Sequence, residues 1–374
     1  MSRQSRPRLT AGSASRYRLS TPLRGPALRV AAVVAVGALV LSACTNSSST
    51  ASSSTSSAAA TSAAGGGTSA AAAPASGEPI TIGFSAPAAD HGWMGSITKS
   101  AQAEADALGD VDLVVAEGTN DVSLQISQVE TFINDKVDAI VLLPFDGAAM
   151  TDVALKAMDA GIPVINVDRE FSSPFAARAT VLGDNYGMGV SAGTYICEQV
   201  GDNPDAIIAE IPGIDSLPLT QDRSAGFADA LEDCGLEVSA RVAADFTVQG
   251  GEAAASQLLS ANPQIDALWN HDDDQGIGVL AAIEAAGRDE FFMVGGAGSL
   301  NAMEAIEADD TVLKATIIYP STQAADGIAL ARLIAQGKTM SDLITPGVAN
   351  RIVLDAPVVT KENVDQYIGL AFES

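Results

Sequence analysis

The 374-residue chain is poor in basic residues, cysteine and histidine, and each shortage excludes a class of protein. Its 20 Lys and Arg residues stand against 46 Asp and Glu, for a formal net charge of -26. A protein that binds nucleic acid needs a basic face, so we expect no nucleic-acid partner. Three cysteines are too few for a disulfide-rich scaffold. With only two histidines, no Gly-x-Ser-x-Gly elbow and no Walker loop, an enzyme is disfavoured.

Cofactor and metal motifs are incomplete as well. Gly295–Gly298 follows a predicted strand but lacks the Gly-x-Gly-x-x-Gly spacing of a dinucleotide loop. The acidic run Asp272–Asp274 lacks the alternating acidic spacing and the closing Glu of a calcium loop. We interpret this run as a solvated or ligand-facing turn, and we expect neither a metal nor a cofactor.

The first 78 residues have the pattern of an export signal followed by a tether. The apolar run Val30–Leu41, preceded by seven arginines, is too short to span a bilayer but fits a signal peptide covering residues 1–43. The motif Leu-Ser-Ala-Cys ends at Cys44 and resembles a bacterial lipobox, so we expect Cys44 to be lipidated. A membrane anchor with a chance cysteine is the alternative. Residues 44–78 are almost entirely Ser, Thr, Ala and Gly and indicate a disordered tether.

From Pro79 onward, short apolar strands alternate with amphipathic helical patterns. This alternation is typical of α/β folds whose parallel sheets are covered on both faces. About 296 residues is large for one core, so we predict two doubly wound lobes. The predicted strands are Ile80–Ser85, Asp112–Glu117, Ala139–Leu143, Val164–Val167, Ala206–Ile211, Val238–Ala243, Ala267–Asn270, Phe292–Gly295 and Lys314–Ile318. Examples of the predicted helices are Ile97–Leu108, Ser123–Asn134, Met150–Ala160, Arg223–Glu232, Gly251–Ser260, Gly276–Ala286 and Thr322–Gln336.

Several short motifs follow these strands in a fixed order. They are Gly83-Phe84-Ser85 with Gly92-Trp93, Ile162-Pro163-Val164 with Asp168-Arg169, Gly183-Asp184-Asn185 with Gly193, Asp222–Phe227, Ala244-Asp245-Phe246, and His271–Asp274 with Gly278. Together they make residues 80 to about 355 resemble the type I sugar-binding proteins of ABC importers, of the ribose- and galactofuranose-binding kind. Members of this class that carry a lipobox are tethered to the membrane.

The resemblance implies a clamp of the Venus-flytrap type, with two lobes that close on a ligand about a three-segment hinge. The crossings are expected near Asp184-Asn185, Tyr319-Pro320 and Ala349–Arg351. The N-terminal lobe would then comprise residues 79–184 and 320–350, and the C-terminal lobe residues 185–319 and 351–374.

The chemistry of a sugar suggests roles for five of these residues. Trp93 and Phe246 are candidate walls for the apolar C–H faces of the ring. Asp168 would accept hydrogen bonds from hydroxyls, and Arg169 and Arg223 would donate to them. In the family, the matching positions contact the sugar. Core packing is the alternative for the two aromatic residues. A solvated surface pair is the alternative for Asp168-Arg169, and capping or pairing along its helix is the alternative for Arg223.

Other positions depart from the family pattern. Asp272 stands where Asn is common, Tyr319 where ribose-type members have Gln, and Ala297 where they have an acceptor Asp. A longer first loop also brings Asp90 and His91 near the expected site. The resemblance therefore implies a hydroxyl pattern different from that of ribose. The mixture of charge signs favours a neutral monosaccharide, a furanose or a polyol.

We therefore predict a monomeric, extracytoplasmic, lipid-anchored binding protein that delivers a monosaccharide or polyol to an ABC permease. A ligand-sensing protein that docks on a membrane receptor is the first alternative, and a secreted α/β enzyme is the second. Cys197 and Cys234 lie near the ends of two predicted helices that flank the same strand. We predict a disulfide between them, with two buried free thiols as the alternative.

Overall fold

The computed structural model describes residues 79–201, 203–338, 340 and 347–374. The predicted signal peptide, Cys44 and the tether lie outside these residues. Within the described part of the chain, none of the helices combines the length and the apolar character needed to cross a bilayer.

The first lobe is a parallel sheet covered by helices on both faces. Its strands are β1 (Ile80–Ser85), β2 (Val111–Val115), β3 (Ala139–Leu142), β4 (Val164–Val167), β5 (Ala179–Gly183) and β11 (Arg351–Leu354). Its helices are α1 (Gly92–Leu108), α2 (Val122–Asp135), α3 (Gly147–Asp159) and α9 (Gln323–Ala335). The strand order is β11-β5-β4-β3-β1-β2, and all five neighbouring pairs are parallel.

The second lobe repeats this arrangement. Its strands are β6 (Ile208–Ile211), β7 (Val238–Arg241), β8 (Ala267–Asn270), β9 (Phe292–Ala297), β10 (Leu313–Ile318) and β12 (Val358–Thr360). Its helices are α4 (Asn185–Val200), α5 (Pro218–Asp233), α6 (Val248–Ala261), α7 (Asp273–Ala286), α8 (Leu300–Ala308) and the short α10 (Val364–Tyr367). The order is β12-β10-β9-β8-β6-β7, in which the edge strand β12 is antiparallel. The prediction of two doubly wound lobes is confirmed.

Strand β3 illustrates why the sheets are covered on both sides. All four of its side chains are fully buried. Ala139 and Val141 pack into the core that includes α1 and α9, whereas Ile140 and Leu142 pack into the core that includes α2 and α3. Alternate side chains of a strand point to opposite faces, so a strand without polar residues needs a core on each side.

The chain crosses between the lobes three times. It passes from β5 to α4 through Asp184, from β10 to α9 through residues 319–322, and from β11 to β12 through residues 355–357. The expected third crossing at Ala349–Arg351 is too early. Residues 351–354 form a strand of the first sheet, where Arg351 pairs with Thr180 and Leu354 with Gly183. The predicted boundary between the lobes at residue 350 is therefore also too early, because residues 351–354 belong to the first lobe.

The predicted strands omitted β5, β11 and β12. The three strands are three to five residues long, and β11 and β12 are edge strands. Along β11 the side chains alternate between exposed and half-buried, so no apolar run marks this strand. Helix starts were also placed too late, since α1 begins at Gly92 and α3 at Gly147 with first turns rich in small residues.

Helices α4 and α5 are joined by a disulfide between Cys197 and Cys234, the pair for which the sequence predicted a bond. The two cysteines are 37 residues apart in the chain. The bond closes a loop that contains β6 and the whole of α5. A cross-link of this length restricts the unfolded chain and stabilises the fold by about 3–4 kcal/mol in the chain-entropy model.

Removing this disulfide should therefore lower the melting temperature without changing the fold. For the double variant Cys197→Ala/Cys234→Ala we expect a decrease of roughly 6–12 °C. The wild type should show a similar decrease in reductant, measured by circular dichroism during heating. Reductant should not affect the double variant, which is the control. Equal melting temperatures of the wild type with and without reductant would contradict the stabilising role.

Candidate ligand-binding site

Side chains from both lobes and from the hinge enclose a small cavity between the lobes. The volume open to a small molecule is only about 30 Å³, far below the roughly 300–1,000 Å³ of small-molecule sites, so the lining side chains nearly fill the cavity. The lining residues are His91, Trp93, Met94, Asp168, Arg169, Leu219, Arg223, Phe246, Asp272, Ala297 and Tyr319. Each of them lies at or beyond the carboxyl end of a strand, where open parallel sheets place their ligands. Eight of the nine predicted ligand-binding residues therefore meet at one cavity.

A chain of hydrogen bonds links the two lobes through the hinge. The Tyr319 hydroxyl donates to Asp168 in the first lobe and accepts from the Asn185 amide at 3.0 Å. The side-chain oxygen Oδ1 of Asn185 accepts from Arg223 Nε in the second lobe at 2.9 Å. All four residues are at least nine-tenths buried. Burial and the neighbouring Asp168 carboxylate raise the pKa of Tyr319, so this hydroxyl stays protonated.

Tyr319 can occupy this central position because Gly183 has no side chain. A Cβ at Gly183 would lie 2.1 Å from Cε2 of the tyrosine ring. The ring has two further neighbours: the Arg223 guanidinium carbon lies 4.5 Å from the Tyr319 ring centroid, and the centroid of the Trp93 ring lies 5.5 Å from it. The tyrosine thus connects the hydrogen-bond chain to the aromatic wall of the cavity.

The two arginines that line the cavity are each anchored by a hydrogen bond from the guanidinium group to a backbone carbonyl oxygen. Arg169 donates through Nη1 to the Phe145 carbonyl oxygen at 2.7 Å, and Arg223 donates through Nη1 to the His271 carbonyl oxygen at 3.2 Å. Arg169 Nε is buried and has no hydrogen-bond partner, and it lies 3.8 Å from the Asp168 carboxylate. A buried donor without a partner is costly, which suits a group that binds a ligand oxygen.

Besides Tyr319, three aromatic rings flank the cavity. The rings of His91 and Phe246, which come from opposite lobes, are inclined by 24° with centroids 6.5 Å apart. Trp93 is 5% exposed, and its indole N–H donates to the Tyr319 carbonyl oxygen at 3.0 Å. Since its polar atom is already bonded, Trp93 offers an apolar face to the cavity.

Asp90 does not line the cavity. Its carboxylate accepts from His91 Nδ1 at 2.6 Å and from the Asn120 amide at 2.9 Å. It therefore orients the imidazole ring, whose Nε2 remains for other contacts. Of the nine candidate residues, Asp90 is the one that the structure places behind the site.

Asp272, Asp273 and Asp274 have three separate roles. Asp272 caps α7 by accepting from the Gln275 N–H at 3.0 Å and lines the cavity. Asp273 accepts from the Gly296, Gly298 and Ser299 backbone N–H groups and from the Thr316 hydroxyl. The carboxylate of Asp274 accepts from the backbone of α1. Within the described residues, no group of three or more His, Cys, Asp or Glu side chains is arranged to hold a metal ion.

A buried hydrogen-bond network around Glu210 positions the backbone group that binds Arg223. Glu210 accepts from His271 Nε2 at 2.9 Å, from Ser224 at 2.6 Å and from Arg241 at 2.9 Å. Burial lowers the pKa of His271 to about 4 despite the opposing effect of Glu210, so the imidazole is neutral at physiological pH. This network fixes the backbone of residue 271, whose carbonyl oxygen accepts from Arg223.

The backbone is strained around the cavity. Of the five described non-glycine residues with positive φ, three line it: Asp168 at 63°, Phe246 at 69° and Ala297 at 92°. Such conformations cost of order 1–3 kcal/mol each and cluster at functional sites. At Phe246 the strain is supported by a hydrogen bond from its N–H to the Gln275 side chain at 2.9 Å.

Comparisons with known proteins agree with this geometry. The model of the periplasmic binding protein domain matches residues 82–339. The chain belongs to the periplasmic binding protein family. It is of the type I sugar-binding kind that the sequence resembles. The ribose import binding protein of Bacillus subtilis is 30% identical over 255 residues, which cover 66% of this chain and 81% of that protein.

Solved structures of the same fold include two informative neighbours. A solute-binding protein of an ABC transporter from Bacillus halodurans, with bound myo-inositol, is 25% identical with a TM-score of 0.70 and covers 79% of this chain and 99% of its own. The fructose-binding periplasmic domain of a hybrid two-component system is 27% identical with a TM-score of 0.68 and covers 77% of this chain and 93% of its own. These proteins are similar in fold and serve different systems.

The residues predicted to bind the ligand in this periplasmic binding protein did not include three that line the cavity. Met94, Leu219 and Ala297 add hydrocarbon surface to it, and of these only Ala297 was named from the sequence, as a departure from the family pattern. Asn185 joins Tyr319 to Arg223. Asn185 belongs to the motif Gly183-Asp184-Asn185, where the sequence predicted a hinge crossing. That position in the hinge was the signal from which its place at the site could have been inferred. Leu219, in the first turn of α5, had no signal in the sequence because an apolar residue there is equally suited to a core.

Asp272 should make the stability of this periplasmic binding protein depend on pH. Burial, followed by the charge of Asp274, raises the pKa of Asp272 to about 7. The folded state therefore binds a proton that the unfolded state releases near its pKa of about 4. The free energy of unfolding should decrease as pH rises from about 4 to 7 and should level off above that range.

The variant Asp272→Asn removes this titration and keeps a side chain that caps helices well. We expect its free energy of unfolding to exceed that of the wild type by an amount that grows between pH 4.5 and pH 8. Urea unfolding at several pH values measures this difference. A difference that is the same at every pH would contradict the assignment.

Proposed function

We propose that this chain is the extracytoplasmic solute-binding protein of an ABC importer and that it captures a neutral monosaccharide or polyol by lobe closure. The observation that carries the proposal is the cavity between the lobes, whose lining combines acceptors, donors and apolar rings from both lobes. The proposal includes delivery of the ligand to a membrane permease, which the similarity to solute-binding proteins of ABC transporters supports, and a monomer suffices for this role. The proposal includes anchoring to the outer side of the cell membrane through a lipid on Cys44.

The lining favours an uncharged, hydroxylated ligand. Asp168 and Asp272 provide acceptor oxygens and Arg169 and Arg223 provide donors, so the lining contains groups of both signs. A ligand with net charge would meet groups of its own sign in a buried site, which is costly. Hydroxyl groups donate and accept, and they match such a mixture.

The aromatic side chains of the cavity favour a ligand with a sugar-like ring. Trp93 and Phe246 offer faces for the C–H groups of a sugar or a cyclic polyol. The similar proteins act on such compounds: ribose for the relative from Bacillus subtilis and myo-inositol for the protein from Bacillus halodurans. We propose no catalytic reaction at this site, since these relatives are binding proteins.

A ligand sensor is the second candidate function. It is supported by the likeness to the fructose-binding periplasmic domain of a hybrid two-component system. In that case a membrane receptor would bind the closed, ligand-loaded form of the protein. Pull-down from membranes with sugar-loaded protein separates the two, because the partner is a permease in one case and a receptor kinase in the other.

The first test is a thermal-shift screen of the protein against sugars and polyols that include D-ribose, myo-inositol and D-fructose. Nucleotides and divalent metals serve as controls. A ligand at 1,000 times its Kd adds about 4 kcal/mol, which raises the melting temperature by several degrees. We expect a shift with one sugar or a small stereochemical set. A shift with nucleotides or metals alone would contradict the proposal.

Arg169→Ala should then abolish most of the affinity for the sugar found in the screen. Truncating a buried, charged donor costs at least about 2 kcal/mol, or roughly 30-fold in Kd. Arg288→Ala is the matched control because Arg288 pairs with Glu290 in the second lobe and does not line the cavity. Isothermal titration calorimetry measures both. Wild-type affinity in Arg169→Ala would refute the assigned site.

Trp93 should report ligand binding by fluorescence. The chain has two tryptophans, and the other, Trp269, is fully buried against Phe227 in the core of the second lobe. The variant Trp269→Phe leaves Trp93 as the single emitter. We expect its emission to change in intensity or wavelength on saturation with the sugar. An unchanged spectrum in this variant, with binding retained, would remove Trp93 from the cavity wall.

A further inference from the structure

Helix α1 lacks a cap from its own lobe. His91 at its N-cap position makes no side-chain capping bond, and the first turn contains no acidic residue. The neighbouring helices α2 and α3 are capped by Asp121 and Asp146. The first N–H groups of a helix have no partner within the helix, so those of α1 need an acceptor from elsewhere.

The acceptor comes from the opposite lobe. Asp274, in the first turn of α7, accepts through Oδ2 from the Trp93 backbone N–H at 3.1 Å. Asp274 is 4% exposed, and the bond is buried. Trp93 is the second residue of α1, and its N–H is one that an N-cap side chain usually binds. The carboxylate also lies near the positive end of the dipole of α1.

The segment Phe372–Ser374 of the second lobe meets α1 at the same place. The Phe372 carbonyl oxygen accepts from the Leu300 N–H at 2.8 Å, which fixes the segment to α8. A Cβ at Gly92, the first residue of α1, would lie 2.5 Å from Ser374 Cα and 2.8 Å from Asp274 Oδ1. The start of α1 therefore fits closely against two parts of the second lobe, and this fit requires glycine.

We propose that Asp274 is a positioning residue for lobe closure, which caps α1 from across the cleft and thereby holds Trp93 against the cavity. Both contacts of α1 cross between the lobes, so they form as the lobes come together and break as the lobes separate. Asp274 does not line the cavity and acts through Trp93. The inference rests on the proposed function in one respect, namely that closure retains a sugar.

The loss of this cap should act on the release of the sugar. Because the cap forms after the sugar has entered, the dissociation rate should rise and the association rate should stay the same. Removal of an N-cap side chain should change the equilibrium constant between the open and closed lobes by about tenfold. We therefore expect Asp274→Ala to raise the dissociation rate and Kd about tenfold. Asp274→Asn keeps an acceptor oxygen and should recover part of the loss.

The experiment compares the wild type with Asp274→Ala, Asp274→Asn and Gly92→Ala. Asp121→Ala is the matched control because it removes an aspartate cap from α2 within the first lobe. Stopped-flow fluorescence with D-ribose, myo-inositol and D-fructose gives the two rate constants. Small-angle X-ray scattering of the sugar-free and sugar-saturated proteins gives the radius of gyration. Melting temperatures show whether each variant is folded.

Faster dissociation in Asp274→Ala and Gly92→Ala, with unchanged rates in Asp121→Ala, supports the inference. Unchanged dissociation in a folded Asp274→Ala overturns it, even though the sugar still binds. A larger radius of gyration in sugar-saturated Asp274→Ala than in the sugar-saturated wild type and Asp121→Ala also supports it, and equal radii overturn it. If none of the three sugars binds the wild type, the proposed function is in doubt, and the inference, which rests on the retention of a sugar, is overturned with it.

Discussion

The hydrogen-bond chain from Asp168 through Tyr319 and Asn185 to Arg223 is the interaction on which the site depends. It contains Asp168 from the first lobe, Tyr319 from a hinge crossing, and Asn185 and Arg223 from the second lobe, where Asn185 directly follows another crossing. Its members are buried, so each polar group must find a partner, and each partner lies in a different segment of the chain. The relative position of the lobes is thereby coupled to the orientation of the side chains that line the cavity.

Three consecutive carboxylates in the second lobe are also placed by contacts with distant segments of the chain. The consecutive carboxylates Asp272, Asp273 and Asp274 would repel one another if they shared one environment. They are instead directed to the cavity, to the loop after β9 and to α1. Burial raises the pKa of Asp272, which reduces the negative charge next to the ligand. Beneath them, the ion pair of Glu210 and Arg241 holds neutral His271 in place.

Sequence patterns predicted the long, regular parts of the fold well. Strands β1, β4 and β8 have the predicted bounds, since each is an apolar run bounded by polar or turn residues. The edge strand β11 was missed because its side chains are only partly buried, and its omission displaced the third hinge crossing. Candidate residues were found where a strand end and a family motif coincide. Asn185 was not proposed for the site because its role depends on residues 38 and 134 positions away.

The sequence by itself determined the two α/β lobes, the family and most of the residues around the cavity. These properties follow from local alternation and from motifs at strand ends, and both can be read along the chain. Only the tertiary structure decided that Asp90 stands behind His91, that Asp274 caps a helix of the other lobe, and that Gly92 and Gly183 leave room for close approaches. The physical reason is that these contacts join segments distant in sequence, and their geometry is set by how the lobes pack.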